Sequence, residues 1–196
     1  MITIPQTELV VHPLCLGSNI FGSNADEAAS HAVMDAYSSH AGNFIDTADM
    51  YNQWVEGHVG GESETVIGSW MKKRNNRQSM VIATKVSKMD KRPGLSAKNI
   101  FAACEESLNR LQTDYIDLYY SHADDETVSL EETLGAFAQL IAQGKSATSQ
   151  PLTSHQHACV NQSSSVTITT SRNMLPSKIS ITALIEKPTR VKCHKL

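Results

Sequence analysis

Asp46, Lys85 and His122 are the residues of this 196-residue chain whose types and spacing suggest chemistry. A carboxylate, an ammonium and an imidazole are groups that move protons in enzyme sites. Here they recur at intervals of 39 and 37 residues, each close to the length of one strand, one helix and their connections. Each also ends an apolar run: Asn43-Phe-Ile-Asp-Thr-Ala48, Ser79-Met-Val-Ile-Ala-Thr-Lys85 and Tyr115-Ile-Asp-Leu-Tyr-Tyr-Ser-His122. One polar side chain per successive unit would therefore face a common mouth. Taken singly, the same residues have plainer roles: Lys85 as a strand-end surface charge, His122 as a hydrogen-bonded loop histidine, and the nearby Tyr51 as a packing residue.

The elements that would position them alternate along the chain. Ile2-Thr-Ile-Pro5 followed by residues 9–17 reads as a short hairpin leading into a buried strand that ends at Gly17. Asn24-Ala-Asp-Glu27 offers an N-cap and first-turn acids for a helix to about His40, which stops at Gly42. Residues 43–48 form a second strand. Gly61-Glu-Ser-Glu64 then starts a helix with Val66, Ile67 and Trp70 at helical spacing. Residues 79–85 are a third strand, Ser96 caps a helix through Leu111, residues 115–122 are a fourth strand, and residues 129–143 are a fourth helix closing at Gly144.

Four alternations imply parallel βαβ units, arranged either as a doubly wound open sheet or as a (β/α)8 barrel. The first strand-to-helix turn, Gly17-Ser-Asn-Ile-Phe-Gly22, lacks the glycine spacing of a dinucleotide-binding sheet. In a barrel the chemistry sits at the C-terminal ends of several strands, which is where Asp46, Lys85 and His122 fall. The pattern favours the barrel.

Phe44-Ile-Asp-Thr-Ala-Asp-Met-Tyr51, Gly61-Glu-Ser-Glu64 with Ile67-Gly68, Ala83-Thr-Lys85 and Asp117-Leu-Tyr-Tyr-Ser-His122, in this order, resemble the successive signatures of the aldo-keto reductases. The resemblance covers residues 9–145 without a break. It implies a (β/α)8 barrel that uses NADPH to reduce a small-molecule aldehyde or ketone, with a catalytic tetrad of Asp46, Tyr51, Lys85 and His122. In that scheme Tyr51 donates the proton, Lys85 favours its phenolate, Asp46 holds Lys85, and His122 hydrogen-bonds the substrate oxygen. Gly17, Ser18 and Asn19, with Asp46, occupy the family's place for contacts near the nicotinamide. The loop from Gln53 to Gly60 resembles that of bacterial members and is expected to shape the pocket.

The chain changes character at Lys145. Every Gly, Phe, Trp and Tyr lies at or before Gly144; residues 1–145 hold 11 Lys+Arg and 19 Asp+Glu, while the last 51 residues hold six and one, with nine Ser and seven Thr. In the family an apolar fifth strand ending in Ser-Asn would follow Lys145. Restoring one nucleotide after the Lys145 codon, with permitted codons, yields such a strand and then a helix start from residues 146–159. The expected organisation is therefore a partial barrel of four βα units over 1–145 and an out-of-frame, disordered tail over 146–196. On this reading the chain is a truncated reductase by ancestry, active through self-association along open sheet edges or else an inactive remnant that binds no cofactor.

The same reading removes the tail's apparent motifs. His155-x-His157-x-Cys159 and Asn161-Gln-Ser163 look like metal-binding and glycosylation patterns, but a shifted frame produces such triplets from codon statistics, so no metal is expected. The tail's basic residues are dispersed and argue against nucleic acid. Four distant cysteines without a C-x-x-C pair indicate neither a disulfide framework nor a structural zinc site. No apolar run approaches about 18 residues, and a cytoplasmic setting without membrane contact is the expectation.

Overall fold

The computed structural model describes residues 1–4 and 7–143, together with two short strands at 167–168 and 183–184. Strand β1 (Ile2–Thr3) pairs antiparallel with β2 (Val10–Val11). Strands β3 (Leu16–Gly17), β4 (Phe44–Asp46), β5 (Val81–Val86) and β6 (Leu118–Ser121) then form one sheet in chain order, every neighbouring pair parallel. Helices α1 (Glu27–Ser39), α2 (Glu62–Arg74), α3 (Ala97–Leu111) and α4 (Leu130–Gln143) follow the four strands, and each packs on the next. A doubly wound sheet reverses its strand order at a switch point. The uninterrupted order here instead gives four successive units of a (β/α)8 barrel, the N-terminal half of that fold. The reading of 146–196 as an out-of-frame, disordered tail lies outside the described residues, apart from β7 (Thr167–Ile168) and β8 (Ala183–Leu184), which pair antiparallel.

Local chemistry explains most boundaries. Ser96 caps α3 as expected, its hydroxyl accepting from the Asn99 amide at 3.3 Å, and the Ser129 hydroxyl accepts from the Glu132 amide at the start of α4. The cap of α1 is Asp26 rather than Asn24: its carboxylate accepts from the Ala29 amide at 2.8 Å. The turn closed by the Gly22 amide on the Ala25 carbonyl, also 2.8 Å, holds residues 22–25 back from the helix. The strand ending at Gly17 is shorter and less covered than its apolar run suggested, because β3 is an outer strand with Leu16 half-buried and Gly17 exposed.

Alternation along the strands separates two faces. Ile45, Ile82, Val86 and Tyr119 pack under the helices with Met34, Ile67, Trp70, Ile100 and Phe137. Val81, Ala83 and Leu118 face the other way and meet Leu9 and Val11 from the hairpin, which plugs the inner face. Trp70 is wholly buried and its indole N–H donates to Asp35 at 2.8 Å, so its large apolar surface is buried with its polar atom satisfied.

The helices approach closely where α2 carries Gly68. A Cβ there would lie 2.3 Å from the Arg110 carbonyl oxygen and 2.9 Å from the Leu111 Cα, both backbone atoms of α3 that cannot swing aside. Alanine would gain about 1 kcal/mol of helix propensity, whereas forcing an overpacked contact costs about 1–3 kcal/mol. Gly68→Ala is therefore expected to be net destabilising, lowering the urea midpoint of the chain; an unchanged or raised midpoint would show that α2 and α3 can separate freely.

Candidate active site

The sheet register builds the site. Asp46 is the last residue of β4 and pairs with Ala83. Lys85 stands two residues beyond Ala83 on the same strand, so both polar side chains emerge on the inner face at the C-terminal rim. Beyond Asp46 the chain turns sharply, with the Thr47 and Asp49 amides donating to the Ala83 and Lys85 carbonyls. That turn returns Tyr51 over the end of β5. His122 follows β6, and its amide donates to the Val86 carbonyl at 2.8 Å.

The Lys85 ammonium makes three contacts, to Asp46 Oδ2 at 2.6 Å, the Thr47 carbonyl at 2.7 Å and the Tyr51 hydroxyl at 2.8 Å. An ammonium has three protons and no acceptor, so this set uses all of them. The Tyr51 oxygen is thus an acceptor from Lys85, and its own proton lies free of that bond; the contact from Tyr51 to Asp46 is long, at 3.4 Å. The His122 ring stands edge-on to Tyr51 with centroids 6.0 Å apart. Burial, then the charges of Lys85 and Lys88, push the His122 pKa down to about 4, which leaves a neutral imidazole at pH 7 with one N–H to donate. Its Nδ1 is buried without a partner. The structure thus brings Asp46, Tyr51, Lys85 and His122 together in one place.

The residues at the mouth of β3 divide. Gly17 and Asn19 are exposed on the rim. Ser18 is wholly buried, its hydroxyl donating to the Asp46 carbonyl and receiving from Ser63, both at 2.8 Å; it ties the first loop to the backbone at the end of β4. Asn52, at φ 74, makes a second tie, donating to the Phe21 carbonyl at 2.6 Å and accepting from Ser23 at 2.8 Å. Trp54 is 56% exposed and meets the Tyr51 ring edge-on, with centroids 6.2 Å apart, so the loop from Gln53 to Gly60 places an aromatic side chain against the Tyr51 ring. Sequence reasoning gave no role to Asp49, Glu64 or Arg110, which lie beneath the site. Their signal was an acid between a strand end and a tyrosine, and a second acid in the first turn of α2. Cys15 and Cys104 are both free, and among the described residues no cluster of side chains could hold a metal and no helix is long and apolar enough to cross a membrane.

Comparison with known proteins gives this geometry its context. The chain is 35% identical over 158 residues to norsolorinic acid reductase A of Aspergillus parasiticus, covering 72% of this chain and 39% of that protein. It is 36% identical over 162 residues to the NADP(+) aryl-alcohol dehydrogenase of Phanerodontia chrysosporium, covering 72% and 40%. Protein tas of Escherichia coli is 38% identical over 167 residues, covering 72% and 48%. The chain therefore spans less than half the length of these relatives. Among solved structures, the holo form of the aldo-keto reductase AKR11C1 from Bacillus halodurans matches with a TM-score of 0.60 at 35% identity, over 71% of this chain and 45% of that one. The family model described as the aldo/keto reductase family matches residues 13–149. Sequence, strand order and structural match agree, and the chain belongs to the aldo/keto reductase family.

Proposed function

We propose that this site is that of an NADPH-dependent carbonyl reductase, converting an aldehyde or ketone to the alcohol. The observation that carries the reading is the Tyr51 hydroxyl, held by the Lys85 ammonium at 2.8 Å beside a neutral imidazole. NADPH, when bound, supplies the hydride. The residues fit its nicotinamide end: Gly17 and Asn19 are exposed beside the Asp46 strand end, and a Cβ on Gly17 would meet nothing within 4 Å, so the rim is open to a planar ring.

Tyr51 gives its proton to the carbonyl oxygen as negative charge develops there, and Lys85 stabilises the phenolate that remains. Asp46 keeps the ammonium oriented. His122 presents an uncharged N–H to the substrate oxygen and so orients it without competing as an acid. The exposed Trp54 beside Tyr51, taken with relatives named for aryl-alcohol and norsolorinic acid, supports an aromatic or bulky apolar carbonyl compound. The second reading is a non-catalytic remnant that keeps the tetrad and binds no cofactor.

Titrating the 196-residue chain with NADPH while following Trp54 and Trp70 fluorescence separates the two. The reductase gives saturable binding that Lys85→Met abolishes, while the remnant gives none. Where turnover is measured, Tyr51→Phe should lose about 10²–10⁴-fold in kcat with cofactor binding kept, the range for a single general acid. For His122, an imidazole 15N titration should show the neutral form persisting on acidification until about pH 4. Lys85→Met should move that transition upward, because a cation that disfavours the imidazolium is removed; a transition near the ordinary histidine value in the unaltered chain would remove His122 as an uncharged donor.

A further inference from the structure

Of the buried acids that the mechanism above leaves unused, Asp49, Glu64 and Asp117, the first stands apart. Asp49 lies midway between Thr47, whose carbonyl receives Lys85, and Tyr51, and it is 0% exposed. Its backbone is fixed on both sides. The amide donates to the Lys85 carbonyl at 3.2 Å, and a Cβ on Gly60 would come within 3.2 Å of its carbonyl oxygen. No other side chain fixes its own: both carboxyl oxygens are buried without a hydrogen-bond partner, and the adjacent Met50 amide offsets only part of the effect of burial.

The groups facing it decide its charge. From α2 comes Glu64, 0% exposed, whose two oxygens accept from Arg110 at 2.7 Å and from the Thr84 hydroxyl at 2.5 Å. From α3 comes Arg110 itself, committed to Glu64. From the loop after β5 comes Arg92, which donates to Asn99 at 3.0 Å and pairs with Glu106 at 2.8 Å, so its charge only partly offsets the burial of Asp49. From β6 comes the wholly buried Tyr119, whose hydroxyl also lacks a partner. Glu64 therefore takes the nearby positive charge, and a second carboxylate beside it would have neither a counter-ion of its own nor a donor. A buried acid in that position keeps its proton. Burial first, then the negative charge of Glu64, push Asp49 up to about 7.

We propose that Asp49 is a positioning residue that the fold holds uncharged, and that its ionisation loosens the 47–51 segment and draws the Thr47 carbonyl and Tyr51 hydroxyl away from Lys85. The consequence for turnover rests on the reductase reading; the positioning itself does not. The sign follows from the direction of the shift. The folded chain keeps a proton that the unfolded chain loses near the ordinary aspartate value, so this group's contribution to stability is full below about pH 4 and declines as pH rises to about 7.

The test uses the intact chain and two readouts that need no cofactor. Carboxyl 13C NMR should show one aspartate titrating near pH 7, its signal missing from Asp49→Asn. Trp54 emission, which senses the Tyr51 ring, should step at the same midpoint in the unaltered chain and lose that step in Asp49→Asn, with the variant at least as stable as the parent at pH 8. An Asp49 carboxyl already ionised at pH 5.5 overturns the proposal. So does an emission step that survives in Asp49→Asn, or a variant that fails to fold at pH 6, which would make Asp49 a structural anion. Failure of NADPH binding with both steps present would remove the reductase reading and leave this one intact.

Discussion

The ammonium of Lys85 governs the local architecture. Only 15% exposed, it cannot leave its protons to bulk water, and an unmade hydrogen bond on a charged group is costly. The fold answers with three acceptors of different kinds: a carboxylate, a backbone carbonyl and a phenol. Supplying all three requires β4 to stop at Asp46, so that the Thr47 carbonyl can turn inward, and requires the chain to double back so that Tyr51 arrives above β5. The exposed peptide groups of that turn are then absorbed by β5, through the Ala83 and Lys85 carbonyls. The geometry of the candidate site is a consequence of satisfying one cation.

Holding the turn in place falls to α2 and α3. The Gly61 amide donates to the Tyr51 carbonyl at 3.1 Å, and Gly61 itself sits at φ 89, a left-handed conformation that a side chain would strain. A Cβ at that position would also strike the Arg110 side chain at 2.3 Å. Arg110 passes close over the start of α2 because it must reach Glu64, and α3 is close enough for this because Gly68 offers no side chain at the crossing. The Tyr51 carbonyl is thereby coupled to the helix core by a short series of contacts, each resting on a residue whose smallness or charge is necessary.

Much of this was legible in the sequence because the strongest constraints there are local. The alternation of strands and helices, the Ser96 cap, the Gly61 start of α2 and the three strand-end polar residues all follow from patterns of a few residues. The choice of barrel over open sheet was also readable, since strand order confirms what the missing glycine fingerprint suggested. What escaped is non-local. Asp26 displaced Asn24 as the cap because of a turn involving Gly22 and Ala25. Ser18 looked like a cofactor contact, yet the fold buries its hydroxyl between the Asp46 carbonyl and Ser63. Asp49 and Glu64 were visible as letters in two motifs, but that they meet beneath the site depends on how α2 crosses the end of β4.

Comparing the buried acids shows how one functional group is given different tasks. Asp117, 0% exposed at the opposite end of the sheet, is paired with Arg77 and accepts from the Ile82 amide, at 2.8 and 2.9 Å, and so staples the start of β6 to β5. Glu64 has the same pairing of one arginine and one neutral donor, and secures α2 to α3 and β5. Asp46 has the lysine and stands partly open at the rim. Each of these three is matched by a cation. Asp49 is the exception: it is as buried as Asp117 and Glu64, but its carboxyl oxygens have no hydrogen-bond partner and the arginines nearest it, Arg92 and Arg110, are paired to other acids. An unpartnered carboxylate there is costly, and burial and the charge of Glu64 accordingly favour the acid form. Asp49 sits in the turn that carries Tyr51, where its amide donates to the Lys85 carbonyl, while the Lys85 ammonium already has Asp46 as its counter-ion.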